Sequence, residues 1–143
     1  MLKAQDLMTT ELFTLKKNDS LRTARSMMSL ARIRHIPIVD KDNTFLGLLT
    51  HRDILSATIS RFAEVDRLVQ DEIDSGIPIS EIMRTDVKTI HPDMHLRDVA
   101  EILLHHKYGC LPVVDDGILV GILTEADFLK LTISLMEMVE HLK

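Results

Sequence analysis

Two runs, Gly47-Leu48-Leu49-Thr50-His51-Arg52-Asp53 and Gly121-Ile122-Leu123-Thr124-Glu125-Ala126-Asp127, set glycine, threonine and aspartate at the same spacing. A hydroxyl three residues before a carboxylate suits two kinds of chemistry. It forms a capping box, in which Thr Oγ accepts from the backbone of a helix's first turn and the Asp carboxylate accepts in return. It also suits a ligand. Free N–H groups at a helix start attract phosphate, and a fixed carboxylate accepts both hydroxyls of a ribose, as in dinucleotide folds. A single Thr-x-x-Asp is accounted for by the cap. Two copies, each with Gly at the strand end and Asp rather than Glu, favour the ligand.

Each copy needs a strand to deliver it and a helix to leave it. Apolar runs at 45–49 and 118–123 have strand character and amphipathic segments follow them. Aligning Met8 with Met83 brings the two halves into step at an offset of 75 residues. Residues 4–8 then match 79–83 as a short helical turn, and Thr10 and Thr14 match Thr85 and Thr89 in strand-like runs. Ser20 is a good N-cap for a helix with Leu21, Ala24, Met27/Met28 and Ala31 on one face. Leu96, Val99, Ile102/Leu103 and His106 repeat that face. The runs 34–40 and 109–115 read as buried strands entered through Pro37 and Pro112. Hairpins follow, the second one residue shorter. Each repeat therefore reads strand, helix, strand, strand, helix.

Between the repeats, 54–73 forms a long amphipathic run with Leu55, Ile59, Phe62, Val65, Val69 and Ile73 on its stripe. Phe128, Leu131, Leu135, Met138/Val139 and Leu142 make a C-terminal counterpart. Both are longer than one small repeat can cover, which leaves apolar surface for a partner.

The composition narrows the function classes. A formal net charge of -5 argues against a general nucleic-acid surface. Neither a signal peptide nor a membrane span is expected. The single Cys110 excludes an internal disulfide and fits the reducing cytoplasm. Seven histidines raise the question of metal. Adjacent His105 and His106 point about 100° apart on a helix, and His91 and His95 lack zinc-motif spacing, so no metal site is assigned. No set for nucleophilic or paired-carboxylate catalysis can be assembled, so no enzyme is expected. The Arg32-Ile33-Arg34-His35 cluster is either a solvated helix end or a phosphate contact.

The duplicated Pro strands and Gly-x-x-Thr-x-x-Asp turns resemble a tandem pair of cystathionine-β-synthase (CBS) domains, a Bateman module. The resemblance covers residues 3–55 and 78–129, leaving 56–77 as a helical linker and 130–143 as a C-terminal helix. It implies an α/β (α+β) fold of two β-α-β-β-α repeats packed sheet to sheet about a pseudo-twofold axis. It further implies clefts that bind adenosine-containing ligands (AMP, ADP or ATP, with S-adenosylmethionine or NAD as further members), and a flat homodimer. By that resemblance Asp53 and Asp127 accept the ribose hydroxyls, and Thr50 and Thr124 face the ribose or phosphate. Leu48, Ile122, Ile36, Pro37, Leu111 and Pro112 wall the adenine. The segments Thr10 to Leu12 and Thr85 to Val87 line the clefts. Arg34 stands where the family places a basic phosphate contact, whereas its counterpart is Gly109. Apart from the resemblance, His51 and Arg52 in the first turn, against Glu125 and Ala126 in the second, add basic groups for a phosphate. The expected role is regulatory, acting on an unidentified protein with no required cofactor. The alternative is a ligand-free dimerisation or scaffold module.

Overall fold

The structure, a computed structural model, describes residues 1–62 and 76–142, with the side chains of 58–62 outside the description. The linker run over 63–75, including Val65, Val69 and Ile73 of the expected stripe, falls outside the described residues.

The elements in chain order are α1 (Ala4–Leu7), α2 (Leu21–Ala31), β1 (His35–Val39), β2 (Phe45–Thr50) and α3 (His51–Phe62). A 3-10 turn (Ile79–Glu81) leads to α4 (Leu96–His106), β3 (Cys110–Asp115), β4 (Ile118–Thr124) and α5 (Glu125–His141). The chain divides into two compact units, and the division does not follow the sequence repeats. One unit is Phe13–Val87; the other joins Met1–Leu12 to Lys88–Lys143. Each repeat thus gives its leading segment to the unit built on the other repeat.

The first unit, Phe13–Val87, is built on the antiparallel hairpin β1–β2, with Ile36 opposite Leu49 and Pro37 opposite Leu48. Alternation sends Ile36, Ile38 and Leu49 to one face. There they pack with Leu21, Ala24 and Met28 of α2, Leu15, Ile54 and Ile79. Helix α2 starts where Ser20 Oγ accepts from Thr23 N–H at 3.2 Å. It stops at Arg32, which takes the left-handed conformation of a C-cap (φ 54°). The leading strand expected near Leu15 is a single parallel bridge to Ile38. Leu15 N–H donates to Pro37 O and Val39 N–H donates to Leu15 O. Pro37 lies inside β1 rather than at its entry. Its missing N–H costs no bond to β2, because the ladder bonds alternate and Pro37 faces the Leu15 side.

The second unit repeats this on β3–β4, with Leu111 opposite Leu123 and Pro112 opposite Ile122. Its core is Ala4, Ile90, Leu96, Val99, Leu103, Leu111, Val113 and Leu123. Helix α4 also ends on a left-handed cap, Lys107 (φ 56°), so His106 is exposed and stacks on Tyr108 instead of joining the buried stripe. The cores trade volume at two equivalent positions. Ala24 and Ile79 in one become Val99 and Ala4 in the other, so small and large exchange places.

The exchanged segments explain the two glycines. In the first unit Leu48 and Arg84 exchange both backbone bonds at 2.9 Å. A Cβ on Gly47 would collide with the Arg84 carbonyl oxygen. In the second, Ile122 and Thr9 exchange bonds of 3.0 and 2.9 Å. A Cβ on Gly121 would stand 2.7 Å from Met8 Sδ and 3.0 Å from Thr9 O. At Gly47 the crossing backbone leaves no room for a side chain, whereas at Gly121 the first obstacle is the Met8 side chain, with the crossing backbone just behind it.

Candidate functional site

The two Thr-x-x-Asp turns open α3 and α5, and both realise the capping box. At the first, Asp53 N–H donates to Thr50 Oγ1 at 3.1 Å and Thr50 N–H donates to Asp53 Oδ2 at 3.2 Å. At the second, Thr124 N–H donates to Asp127 Oδ2 at 2.9 Å and Thr124 Oγ1 donates to the same oxygen at 3.3 Å. One carboxylate oxygen of each Asp is thereby held by the helix start. The other, Oδ1, faces the exchanged segment, and here the units part. In the first unit Arg84 Nε donates to Asp53 Oδ1 at 2.9 Å, an ion pair whose carboxylate side chain is 10% exposed and whose guanidinium side chain is 58% exposed. In the second, Thr9 Oγ1 donates to Asp127 Oδ1 at 3.3 Å.

Arg84 and Thr9 are equivalent under the repeat, and sequence reasoning passed over both. It selected the residues just after them. Thr10 and Thr85 are exposed, and Leu12 and Val87 are half-buried beside the points where the chain leaves each unit. The alignment of Thr9 with Arg84 was visible, but nothing local says that each lies on the other repeat's aspartate.

The apolar wall divides by strand alternation. Ile36 and Leu111 point inward and are fully buried in their cores. Pro37 with Leu48, and Pro112 with half-buried Ile122, are cross-strand pairs on the opposite face of each hairpin. Those two pairs are the apolar candidates beside the turns. His51 and Arg52 are exposed on the first turn of α3, and Arg34 is exposed before β1. His51 N–H donates to Arg34 O at 2.9 Å, which ties the start of α3 to the entry of β1. Arg34 and His51 also line a cavity of about 550 Å³ with Arg25, Arg32, Met28 and Ile54. Neither Thr50 nor Asp53 lines this cavity.

Position 35 and its equivalent 110 begin the Pro strands opposite Thr50 and Thr124. Burial lowers the His35 pKa, Arg34 lowers it further, and Asp53 opposes both. Burial raises the Cys110 thiol to about 12, with the Asp127 charge adding to the effect. Among the described residues no cluster of His, Cys, Asp or Glu is arranged to hold a metal ion. Nor, among them, is any helix long and apolar enough to cross a membrane.

Two hairpin-and-helix units, each with a Pro strand and a capped Gly-x-x-Thr-x-x-Asp turn, define a tandem CBS pair. The CBS domain family model matches residues 4–60 and 79–134, and the chain belongs to that family. It is 32% identical over 127 residues to CBS domain-containing protein YhcV of Bacillus subtilis, covering 89% of this chain and 83% of that protein. Among solved structures it is similar to AcuB from Vibrio cholerae, with a TM-score of 0.84, 37% identity and coverage of 99% and 97%. The CBS domain pair of protein MJ0100, solved with 5′-methylthioadenosine and S-adenosyl-L-methionine, matches at a TM-score of 0.73. It is 29% identical, with coverage of 92% and 96%.

Proposed function

We propose that this chain is a regulatory module that binds adenosine-containing ligands of the AMP, ADP and ATP class, one at the turn ending in Asp53 and one at that ending in Asp127. The observation that carries the reading is the duplicated turn. Each holds a carboxylate at a helix N-terminus, with one oxygen fixed by the cap and the other approached by a side chain from the exchanged segment. A ribose diol needs such a pre-oriented acceptor, and a phosphate gains from the helix start. The adenosine derivatives held by the MJ0100 domain pair support the ligand class. The module regulates another protein and carries out no chemistry of its own. Its place is the reducing cytoplasm, where a buried single thiol stays free.

Calorimetry with AMP, ADP, ATP, S-adenosylmethionine and NAD tests it. Saturable binding is expected, with Asp53→Ala and Asp127→Ala each removing one site. No heat from any of the five would overturn it in favour of a ligand-free scaffold.

The chain also works as a homodimer. On α5, Phe128 and Leu131 pack on the second unit's core, while Leu129, Ile133, Met136 and Val139 lie on a stripe that is more than half exposed. A second copy is the simplest cover for that stripe. Light scattering should return twice the chain mass, and Val139→Glu should return the monomer without loss of fold.

A further inference from the structure

We infer that Arg84 is a specificity-determining residue that makes the Asp53 site selective for a phosphorylated nucleoside, while Thr9 leaves the Asp127 site to an uncharged nucleoside or a cationic derivative. The inference rests on the nucleotide reading above and assigns each site its ligand chemistry.

The backbone pairing of Leu48 with Arg84 fixes where the guanidinium starts, and its Nε is on Asp53 Oδ1 at 2.9 Å. Asp53 is therefore charge-compensated before any ligand arrives. The Arg84 side chain is 58% exposed, and its guanidinium carries further N–H donors besides the Nε bonded to Asp53. A ribose hydroxyl that takes Oδ1 displaces the Nε bond. A phosphate on the same ligand gives the guanidinium a new anionic partner, and planar guanidinium matches phosphate oxygens two at a time. A nucleoside without phosphate offers no such return.

At the equivalent place in the second unit, the Thr9 hydroxyl donates to the Asp127 carboxylate and brings no charge of its own. The three other equivalent positions reinforce the contrast. Arg34, His51 and Arg52 flank the first turn, where Gly109, Glu125 and Ala126 flank the second. A phosphate brought to the second turn meets two carboxylates and no cation at these positions; a positively charged group meets attraction.

The experiment is calorimetry of AMP and adenosine on single-site backgrounds. In Asp127→Ala, AMP should bind at least about tenfold more tightly than adenosine, and Arg84→Thr added to it should bring the two within about threefold. Arg84→Lys should keep most of the preference, since it keeps the charge. In Asp53→Ala, the gain-of-function change Thr9→Arg should raise AMP over adenosine by about tenfold at the remaining site. Circular dichroism melts confirm that each variant folds. AMP binding with a ratio unmoved by both Arg84→Thr and Thr9→Arg would overturn the inference and leave the nucleotide reading standing. Failure of the unaltered chain to bind either ligand would overturn both.

Discussion

The units built around β1–β2 and β3–β4 share a backbone plan and differ in the electrostatics of one corner. Eight core positions correspond pairwise, from Leu15 and Ile90 to Ile79 and Ala4. At the corner where the Pro strand, the Thr-x-x-Asp turn and the exchanged segment meet, the first unit carries Arg34, His35, His51, Arg52 and Arg84. The second carries Gly109, Cys110, Glu125, Ala126 and Thr9. The aspartate is the constant and its surroundings are the variable. A duplicated fold has kept its packing and let its two sites diverge in charge, because a core tolerates only volume-matched change whereas the exposed positions of this corner (34, 51, 52 and 84, and their equivalents 109, 125, 126 and 9) accept any residue that water can solvate.

The sharpest way to break this comparison is through the glycines. Gly47→Ala drives a methyl into the Arg84 backbone carbonyl, whereas Gly121→Ala meets first the flexible end of Met8. Overpacking against rigid atoms costs about 1–3 kcal/mol, so Gly47→Ala should fall toward the upper end of that range and Gly121→Ala toward the lower. Urea unfolding of the two variants measures the difference; equal losses would mean that the crossing segments yield alike.

Removing the carboxylates should cost less. Asp53→Asn and Asp127→Asn each weaken a capping box worth about 1 kcal/mol, and the loss at Asp53 should be the larger because an ion pair goes with it. Thermal melts without ligand are the readout.

A smaller effect separates the units by pH. His35 has a folded pKa below 6.5, so the unfolded chain takes up the proton first. Its stabilising contribution is complete above pH 6.5 and declines as pH falls below it. Cys110 runs the other way. The unfolded thiol ionises near 9.0 and the folded one at about 12, so its contribution is complete below pH 9.0 and declines above it. His35→Gln should flatten the acid side of the stability profile and Cys110→Ala the alkaline side, with each leaving the other side unchanged.

The smallest change expected is in stability on losing the partners of Oδ1. The Arg84–Asp53 pair is partly exposed, so Arg84→Ala should cost about 0.2–1 kcal/mol, and Thr9→Ala no more than that. Their consequence lies in ligand choice, not in folding.

Much of this was legible in the chain. The buried faces of α2 and α4 follow from helical spacing, the hairpins from the Pro strands and turn residues, and the capping boxes from Thr50, Asp53, Thr124 and Asp127. Those are local matters, settled by residues within a few positions of one another. Ile36 and Leu111 show where local reading stops. Their neighbours Pro37 and Pro112 share the same motif, yet strand alternation places only the latter pair on the hairpin face away from the core.

Sequence alone determined the repeat, its register and the two aspartates, because periodicity and capping depend on neighbours along the chain. Only the tertiary structure decided which segment lies across each turn. An offset of 75 residues is equally compatible with Thr9 on its own repeat's aspartate or on the other's. The choice is made by backbone hydrogen bonds and core packing between segments far apart in the chain: Arg84 with Leu48 and Ile79 in one unit, Thr9 with Ile122 and Ala4 in the other. That exchange puts a guanidinium on Asp53 and a hydroxyl on Asp127, and no local pattern encodes it.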